Sequence, residues 1–220
     1  MLIQNEIPKE DLDYILEPLK EDKEENDKQI ISEKIIAIVK DSNGKIIDKV
    51  EQKMKSLTQY YLALISIPIL GTYSGATGTK ASQILTSILG LPSELSTSCC
   101  SNLFFDMSMQ LGSGTKQFSL NLNSLDAPIS NGTGTGQLNY GSENVYYNNN
   151  SISIVMPVSN KSGNTIQVSE IGIQSYIMIA NSTQIKVLKI YYLSYDTLIS
   201  PISIPNGGSA TFQIVITFSG

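Results

Sequence analysis

This chain of 220 residues contains no Arg, His or Trp, and its formal net charge is −5. The length suits one all-β domain with an appendage or two small domains, and the missing residue types exclude most catalytic, metal-binding and nucleic-acid-binding chemistry. The charges are unevenly divided, because residues 1–55 carry 24 of them and residues 56–220 carry 11. The first part therefore resembles a solvated segment, and the remainder resembles a body that packs and pairs strands.

The acidic start of the chain is predicted to form a helical arm over residues 1–32. A narrow apolar stripe has helical spacing there, and the run 20–28 that follows contains no apolar residue. We expect this stripe to dock on a neighbouring subunit, and the alternative is a solvated helix end or a mobile linker. The stripe residues proposed for that interface are Leu12, Ile15 and Leu19.

A β-hairpin followed by a helix is predicted for residues 33–70. Two β-rich runs, 34–41 and 45–51, flank Asp41-Ser42-Asn43-Gly44, and an Asn-Gly pair suits the positive φ of a tight hairpin turn. One or two short helices are predicted around 54–91, the first of them ending near Pro68. We divide the chain into the arm and a β body over 33–220, with the main strands in 100–220.

The main strands are predicted from apolar residues that alternate with polar ones, the period of a half-buried strand. The alternating runs are 103–109, 118–122, 152–158, 166–173, 185–192 and 212–218, and the phase slips by one residue after Val168. Turn signals separate these runs at 112–114, 131–136, 161–164, 181–183 and 205–208. Short strands at this spacing predict an antiparallel β-sandwich or barrel with one polar but uncharged outer face.

That uncharged face is expected either to be a merely neutral surface or to be covered by neighbouring copies, because neutral polar groups are cheaper to desolvate than charges. Tyrosines fit contact anchors, and their alternative role is ordinary core or rim packing. The tyrosines proposed for an interface are Tyr140, Tyr146, Tyr147, Tyr191 and Tyr192.

No catalytic residue, cofactor or metal site is predicted. A serine nucleophile would have no His as its base, and the acids of the body (Glu94, Asp106, Asp126, Glu143, Glu170 and Asp196) are scattered, so a chance pair is the default explanation for any two that meet. Cys99 and Cys100 are adjacent, and two small buried residues or free thiols are favoured over a strained bridge.

Four Asn-x-Ser/Thr triplets provide candidate glycosylation sites, each at a predicted turn. They begin at Asn131, Asn149, Asn160 and Asn181. No signal peptide and no transmembrane span is predicted, since the longest apolar run is far below the ~20 residues that a span needs. We expect the chain to be made in a cytoplasm.

Two parts of the chain resemble virion structural proteins of archaeal viruses, of the Sulfolobus-virus kind, and of some thermophilic phages. The first is the hairpin-plus-helix segment at 38–64. The second is Val-Ser-Asn-Lys-Ser-Gly-Asn-Thr-Ile-Gln-Val-Ser-Glu-Ile-Gly-Ile at 158–173, continued at 198–218 by a Pro-Asn-Gly-Gly turn and a closing strand. Asp196 matches the family's acidic residue before that turn, whereas Tyr195 replaces its arginine.

The resemblance implies a jelly-roll-like, antiparallel β-sandwich that acts by assembly. We expect a multi-copy capsid, vertex, turret or tail component, located in the virion, whose partners are other copies of itself and other virion proteins, without direct contact to nucleic acid. The alternative is an adhesin-like carbohydrate-binding module, with Tyr-rich loops around 140–150 stacking on a host-surface glycan.

Overall fold

A computed structural model describes residues 31–54, 102–116, 124–180 and 185–218. Within these ranges the chain forms antiparallel strands and no helix, which confirms the mainly β class. The strands are β1 (Ile31–Lys40), β2 (Ile46–Met54), β3 (Asn102–Gly112), β4 (Asn139–Tyr140), β5 (Asn144–Asn148), β6 (Ser151–Ser159), β7 (Ile166–Ala180), β8 (Ile185–Ile204) and β9 (Ser209–Phe218).

The predicted arm and the helices predicted around 54–91 lie almost entirely outside the described residues. The exceptions are residues 31 and 32, which belong to β1, and Met54, which ends β2. Strand β1 therefore includes the last two residues of the predicted arm. The strand predicted at 118–122 also lies outside the described residues, whereas the runs around 103–109, 152–158, 166–173, 185–192 and 212–218 are confirmed as strands.

Two sheets contain all the described strands. The larger has the order β2-β1-β9-β6-β4, and β5 also pairs with β6. The smaller has the order β3-β7-β8. Strand β9 lies antiparallel between β1 and β6, although β1 precedes it by about 170 residues of sequence. The larger sheet is therefore joined across its centre by a pairing of distant segments.

The chain divides into two compact units. The described residues of the first are 31–54, 129–169 and 198–218, and those of the second are 102–116, 124–128, 170–180 and 185–197. The larger sheet belongs to the first unit and β3 belongs to the second. Strands β7 and β8 contribute residues to both. The phase slip seen in the sequence after Val168 coincides with this division, which falls between Ser169 and Glu170.

The β1–β2 hairpin forms as predicted, because local turn chemistry specifies it. The Asp41 carboxylate oxygen Oδ1 accepts hydrogen bonds from the backbone N–H groups of Asn43 (2.9 Å) and Lys45 (3.0 Å). Gly44 adopts a φ of 83°, a region that a residue without Cβ enters without strain. An aspartate that closes the turn and a glycine at the positive φ are the features that make this turn readable from sequence.

Strands β1, β9 and β6 pack on both of their faces. The pairing places Ile35, Ile214 and Ile154 on one face, and all three are buried. The opposite face carries Ile36 and Gln213, which are also buried, and the Gln213 amide nitrogen donates to the Ser153 hydroxyl at 2.7 Å. The expectation of one solvent-facing polar side is therefore wrong for these three strands. The unbroken apolar run 35–39 is the pattern of a strand buried on both sides.

Buried and exposed residues alternate instead in the parts of β7 and β8 that belong to the first unit. Val168 and Ile202 are buried, whereas Gln167 and Ser203 are exposed and hydrogen-bond each other, with 2.7 Å between Nε2 and Oγ. This stretch has the uncharged polar outer side that the sequence predicts. Gln52 on β2 accepts a hydrogen bond from the Ile199 N–H at 2.8 Å, which ties this part of β8 to the larger sheet.

A buried asparagine holds two turns of the first unit together. The Asn160 amide nitrogen donates to the carbonyls of Asn164 (2.7 Å) and Ile204 (2.8 Å), and its amide oxygen accepts from the N–H (3.0 Å) and hydroxyl (2.7 Å) of Ser162. Its backbone N–H and C=O bond to Gly208 and Gly207. Because every polar group of Asn160 has a partner, its burial stabilises the turns that join β6 to β7 and β8 to β9.

Replacing this asparagine tests the fold directly. Asn160→Ala leaves buried backbone groups without partners, so we expect the free energy of unfolding to fall by about 3 kcal/mol. Asn164→Ala is the matched control, because this exposed residue takes part through its backbone N–H and carbonyl, which the substitution keeps, and the expected loss is about 0.5 kcal/mol or less. Urea unfolding followed by circular dichroism measures both. Equal losses for the two variants would contradict the role assigned to Asn160.

Candidate functional site

The second unit contains a carboxylate that is completely buried. Glu170 lies on β7 opposite Gly112 of β3. Its oxygen Oε1 accepts hydrogen bonds from the N–H groups of Gly114 (2.9 Å) and Ala127 (2.8 Å), and Oε2 accepts from the N–H of Asp126 (3.0 Å). Three backbone donors of this kind stabilise a negative charge in a place that water does not reach.

The Glu170 carboxylate occupies space that is available only because two neighbouring residues are glycines. A Cβ on Gly112 would lie 2.3 Å from Oε1 of Glu170, and a Cβ on Gly114 would lie 2.6 Å from the same atom. Either distance is well inside van der Waals contact. The sequence analysis interpreted 112–114 as a turn signal. In the structure, these glycines leave room for the Glu170 side chain, which approaches from β7. The Ser113 N–H also donates to the Ala127 carbonyl at 2.8 Å.

A buried tyrosine accompanies the carboxylate. Tyr195 has no exposed surface, and its hydroxyl donates to the carbonyl of Lys116. Burial, reinforced by the nearby negative charge and hydrogen bonding of Glu170, raises the pKa of the Tyr195 phenol well above its ordinary value of 10.0. Tyr195 is therefore a neutral donor at any physiological pH. Asp126 and Asp196 raise this pKa further by their charge.

This cluster connects segments of the chain that are distant in sequence. Glu170 accepts from both segment 113–116 and segment 124–128, and Tyr195 donates to the first of them, so β7 and β8 each hold a stretch that has no regular structure of its own. Of the six acids considered for catalysis, Asp126, Glu170 and Asp196 come together here. Each oxygen of Glu170 accepts from at least one backbone N–H group, which indicates a structural tie between the two segments. Within the described ranges, no group of three or more acids or cysteines is arranged to hold a metal ion.

The tyrosines proposed for an interface differ in their surroundings. Tyr140 is half-buried and donates its hydroxyl to the Ile129 carbonyl at 2.9 Å. Tyr146 is half-buried, and Tyr147 is 77% exposed. Tyr191 and Tyr192 lie on β8, where the structure describes the backbone alone. Leu12, Ile15 and Leu19 lie outside the described residues.

Tyr147 belongs to an edge strand that the sequence analysis missed. Residues 140–150 were interpreted as Tyr-rich loops, but Asn144–Asn148 form β5, which pairs with β6 through the two-residue turn at 149–150. Val145, 48% exposed, lies on the same face as Tyr147. Four asparagines in this segment obscure the strand, because asparagine is typical of turns.

The two edges of the larger sheet differ sharply in charge. Strand β2 carries Asp48, Lys49, Glu51 and Lys53, and Lys34 pairs with Glu51 at 2.9 Å. Charged side chains of this kind discourage another strand from joining an edge. Strand β5 carries none, and among the described residues no strand pairs with its outer side. Of the two edges, β5 is the one suited to contact another protein surface.

The candidate glycosylation sites also differ. Asn160 is fully buried and both hydrogens of its amide are donated, so it is unsuited to carry a glycan in the folded protein. Asn131 and Asn149 are exposed, and Asn131 accepts a hydrogen bond from the Tyr140 N–H at 3.1 Å. Asn181 lies outside the described residues. Glycosylation at these three positions remains a prediction.

Neutralising Glu170 should destabilise the protein. Glu170→Gln places an amide N–H₂ where an oxygen now accepts from the backbone, so we expect a loss of about 3 kcal/mol in the free energy of unfolding. Glu51→Gln removes an equal charge from a surface pair and should cost about 0.5 kcal/mol or less. Urea unfolding compares the two, and similar losses would show that the backbone donors do not depend on the Glu170 charge.

Removing the Tyr195 hydroxyl should change the response of the protein to alkali. Tyr195→Phe loses one hydrogen bond, so we expect its free energy of unfolding near pH 8 to be lower than that of the wild type, a deficit of about 1 kcal/mol. Above about pH 10 the unfolded wild-type chain releases a proton from Tyr195 that the folded chain retains, and wild-type stability falls accordingly. The deficit should therefore shrink between about pH 10 and pH 11. Urea unfolding at a series of pH values measures it, and a constant deficit would contradict the raised pKa.

Comparisons with known proteins identify no relative of the chain: no protein-family model, no curated protein and no solved structure matches it. Within the described residues, no helix is long and apolar enough to cross a membrane.

Proposed function

We propose that this chain is a virion structural protein that acts by self-association. It is present in many copies as a shell, vertex, turret or tail component, and its partners are copies of itself and other virion proteins. The observation that carries this proposal is the neutral, partly apolar edge at β5, in a sheet whose other edge carries charges of both signs. A protein that only had to remain soluble would gain from charges on both edges.

The buried polar ties support a role as a building block. Asn160 fixes the turns at 160–164 and 204–208, and Glu170 fixes the segments at 113–116 and 124–128. Connections held by buried hydrogen bonds lose little conformational entropy when a neighbour packs against them, so more of the contact energy remains for assembly.

The segments that resemble virion proteins fall on connected strands. Segment 158–173 contains the end of β6, the Asn160 turn and the start of β7, and segment 198–218 contains the end of β8, the turn at 205–208 and β9. Antiparallel strands in two sheets suit the jelly-roll-like sandwich that the resemblance implies. That sandwich, a helical arm that ends before β1 and the location in the virion are parts of the same proposal.

Carbohydrate binding has weaker support. A sugar-binding platform needs flat aromatic faces that a ligand can reach. Tyr146 and Tyr147 are neighbours on one strand, so their rings project to opposite faces of the sheet. Tyr140 is half-buried, and its hydroxyl is engaged by a backbone carbonyl. These three tyrosines therefore do not combine into one stacking surface.

The state of the purified full chain tests the proposal. We expect static light scattering to give a mass that rises with concentration above that of one chain, and electron microscopy to show particles of uniform symmetry. The measurement should be repeated in high salt, where an assembly built on neutral surfaces should persist. A monomer at every concentration that binds immobilised glycans would contradict the proposal and favour the carbohydrate-binding module.

A further inference from the structure

The direction of the backbone groups along β6 follows from two hydrogen bonds near its ends. The Phe218 N–H donates to the Asn150 carbonyl at 2.7 Å, on the side of β6 that faces β9. The Gly141 N–H donates to the Pro157 carbonyl at 2.8 Å, on the side that faces β4 and β5. Because these groups alternate along an antiparallel strand, even-numbered residues of β6 bond to β9 and odd-numbered ones bond to β5.

The alternation of β5 follows from its register with β6. Asn144, Tyr146 and Asn148 are opposite odd-numbered residues of β6, so their N–H and C=O groups point inward. The N–H and C=O groups of Val145 and Tyr147 consequently point away from the sheet. The same two residues have the exposed side chains, 48% and 77% respectively. Two residues thus present two donors, two acceptors and two large side chains on one edge.

The sequence of β5 is nearly the same in both directions. Asn144-Val145-Tyr146-Tyr147-Asn148 has asparagine at each end, and it reads symmetrically about Tyr146 except that Val145 corresponds to Tyr147. If a second copy lies antiparallel with Tyr146 on a two-fold axis, Val145 is opposite Tyr147 of that copy, and Tyr147 is opposite its Val145. Both are outward-pointing residues, so each pair exchanges two N–H···O=C hydrogen bonds.

We propose that β5 pairs with β5 of a second copy about a two-fold axis at Tyr146, which joins two six-stranded sheets into one continuous sheet. This inference rests on the proposed self-association and specifies its partner and register. An isologous contact needs a surface that is complementary to itself, and this strand satisfies that condition in hydrogen bonds and in side chains. The apolar pairs that form are an aromatic and a β-branched residue directly across from each other, a favourable cross-strand combination.

The proposed register brings no two like charges opposite each other. The acid nearest to the strand is Glu143, and in the two-fold pairing it is opposite Asn149 of the second copy, so no like charges meet. The β2 edge cannot associate in this way as easily, because its alternating lysines and acids would have to leave water. Five residues bury little area, so the contact is weak between two free chains and becomes effective where other contacts hold the copies together.

Cysteine substitution along β5 tests both the contact and its register. In a background with Cys99→Ser and Cys100→Ser, Tyr146→Cys places two thiols on the axis, in a pair without hydrogen bonds whose Cα atoms are ~4.5 Å apart, within disulfide range. Asn148→Cys is the matched control, because its two copies are ~13 Å apart in this register. A mixture of Asn144→Cys and Asn148→Cys should form the mixed dimer, since these positions are opposite each other.

We expect Tyr146→Cys to form a disulfide dimer under mild oxidation about tenfold faster or more than Asn148→Cys, as non-reducing electrophoresis would measure. Adding Tyr147→Lys should slow this reaction, whereas Asn43→Lys, on the exposed hairpin turn, should leave it unchanged. Equal rates at positions 146 and 148 would overturn the inference.

Light scattering of the uncross-linked protein separates the two proposals. If the chain assembles but Tyr146→Cys does not cross-link preferentially, the proposed function stands and this register is wrong. If the chain is monomeric and position 146 shows no preference, both are wrong. A disulfide dimer of Tyr146→Cys that retains its β-sheet circular dichroism, together with the mixed dimer of positions 144 and 148, would support this register and no other.

Discussion

The pairing of β9 with β1 on one side and β6 on the other is the constraint on which the first unit depends. Without β9, no strand pairing in the larger sheet would connect the β1–β2 hairpin to strands β4, β5 and β6. Phe212 is fully buried at the centre of this pairing, opposite Ala37 and Met156. Contacts between such distant segments form slowly, because a long loop must close before they contribute. Until β9 pairs with them, strands β1 and β6 therefore each have backbone N–H and C=O groups without a partner strand on that side.

Two buried polar side chains hold irregular connections of the chain in place. Asn160 in the first unit and Glu170 in the second each satisfy several backbone groups in segments that lack regular structure. Both depend on a complete set of partners, since a buried polar group with a missing partner costs more than the hydrogen bond itself contributes. Specific side chains consequently hold these connections in place, in stretches where no strand pairing does so.

The elements that the sequence predicted well are those with local causes. The Asp41–Gly44 turn determines its own hairpin, and simple alternation identified the strands that became β6 and β9. Strand β5 was missed because its asparagines resemble a turn, and only its pairing with β6 makes it a strand. The double-sided burial of β1 could have been inferred from its unbroken apolar run. Tyr140 and Tyr147 lie on the same edge of the larger sheet, and their different exposure depends on contacts outside their own strands, such as the hydrogen bond from the Tyr140 hydroxyl to the Ile129 carbonyl, which no local pattern records.

The fit between Glu170 and two glycines links positions that are far apart in the chain. Gly114 precedes Glu170 by 56 residues, and neither glycine of the 112–114 stretch can gain a side chain while the carboxylate keeps its place. Evolutionary change at these three sites is therefore expected to be correlated, with a Gly-x-Gly that begins at the end of one strand and a solitary acid in another strand retained or lost together. Such a pattern would persist after most of the surface had diverged, so it provides a fingerprint for recognising distant relatives of this fold.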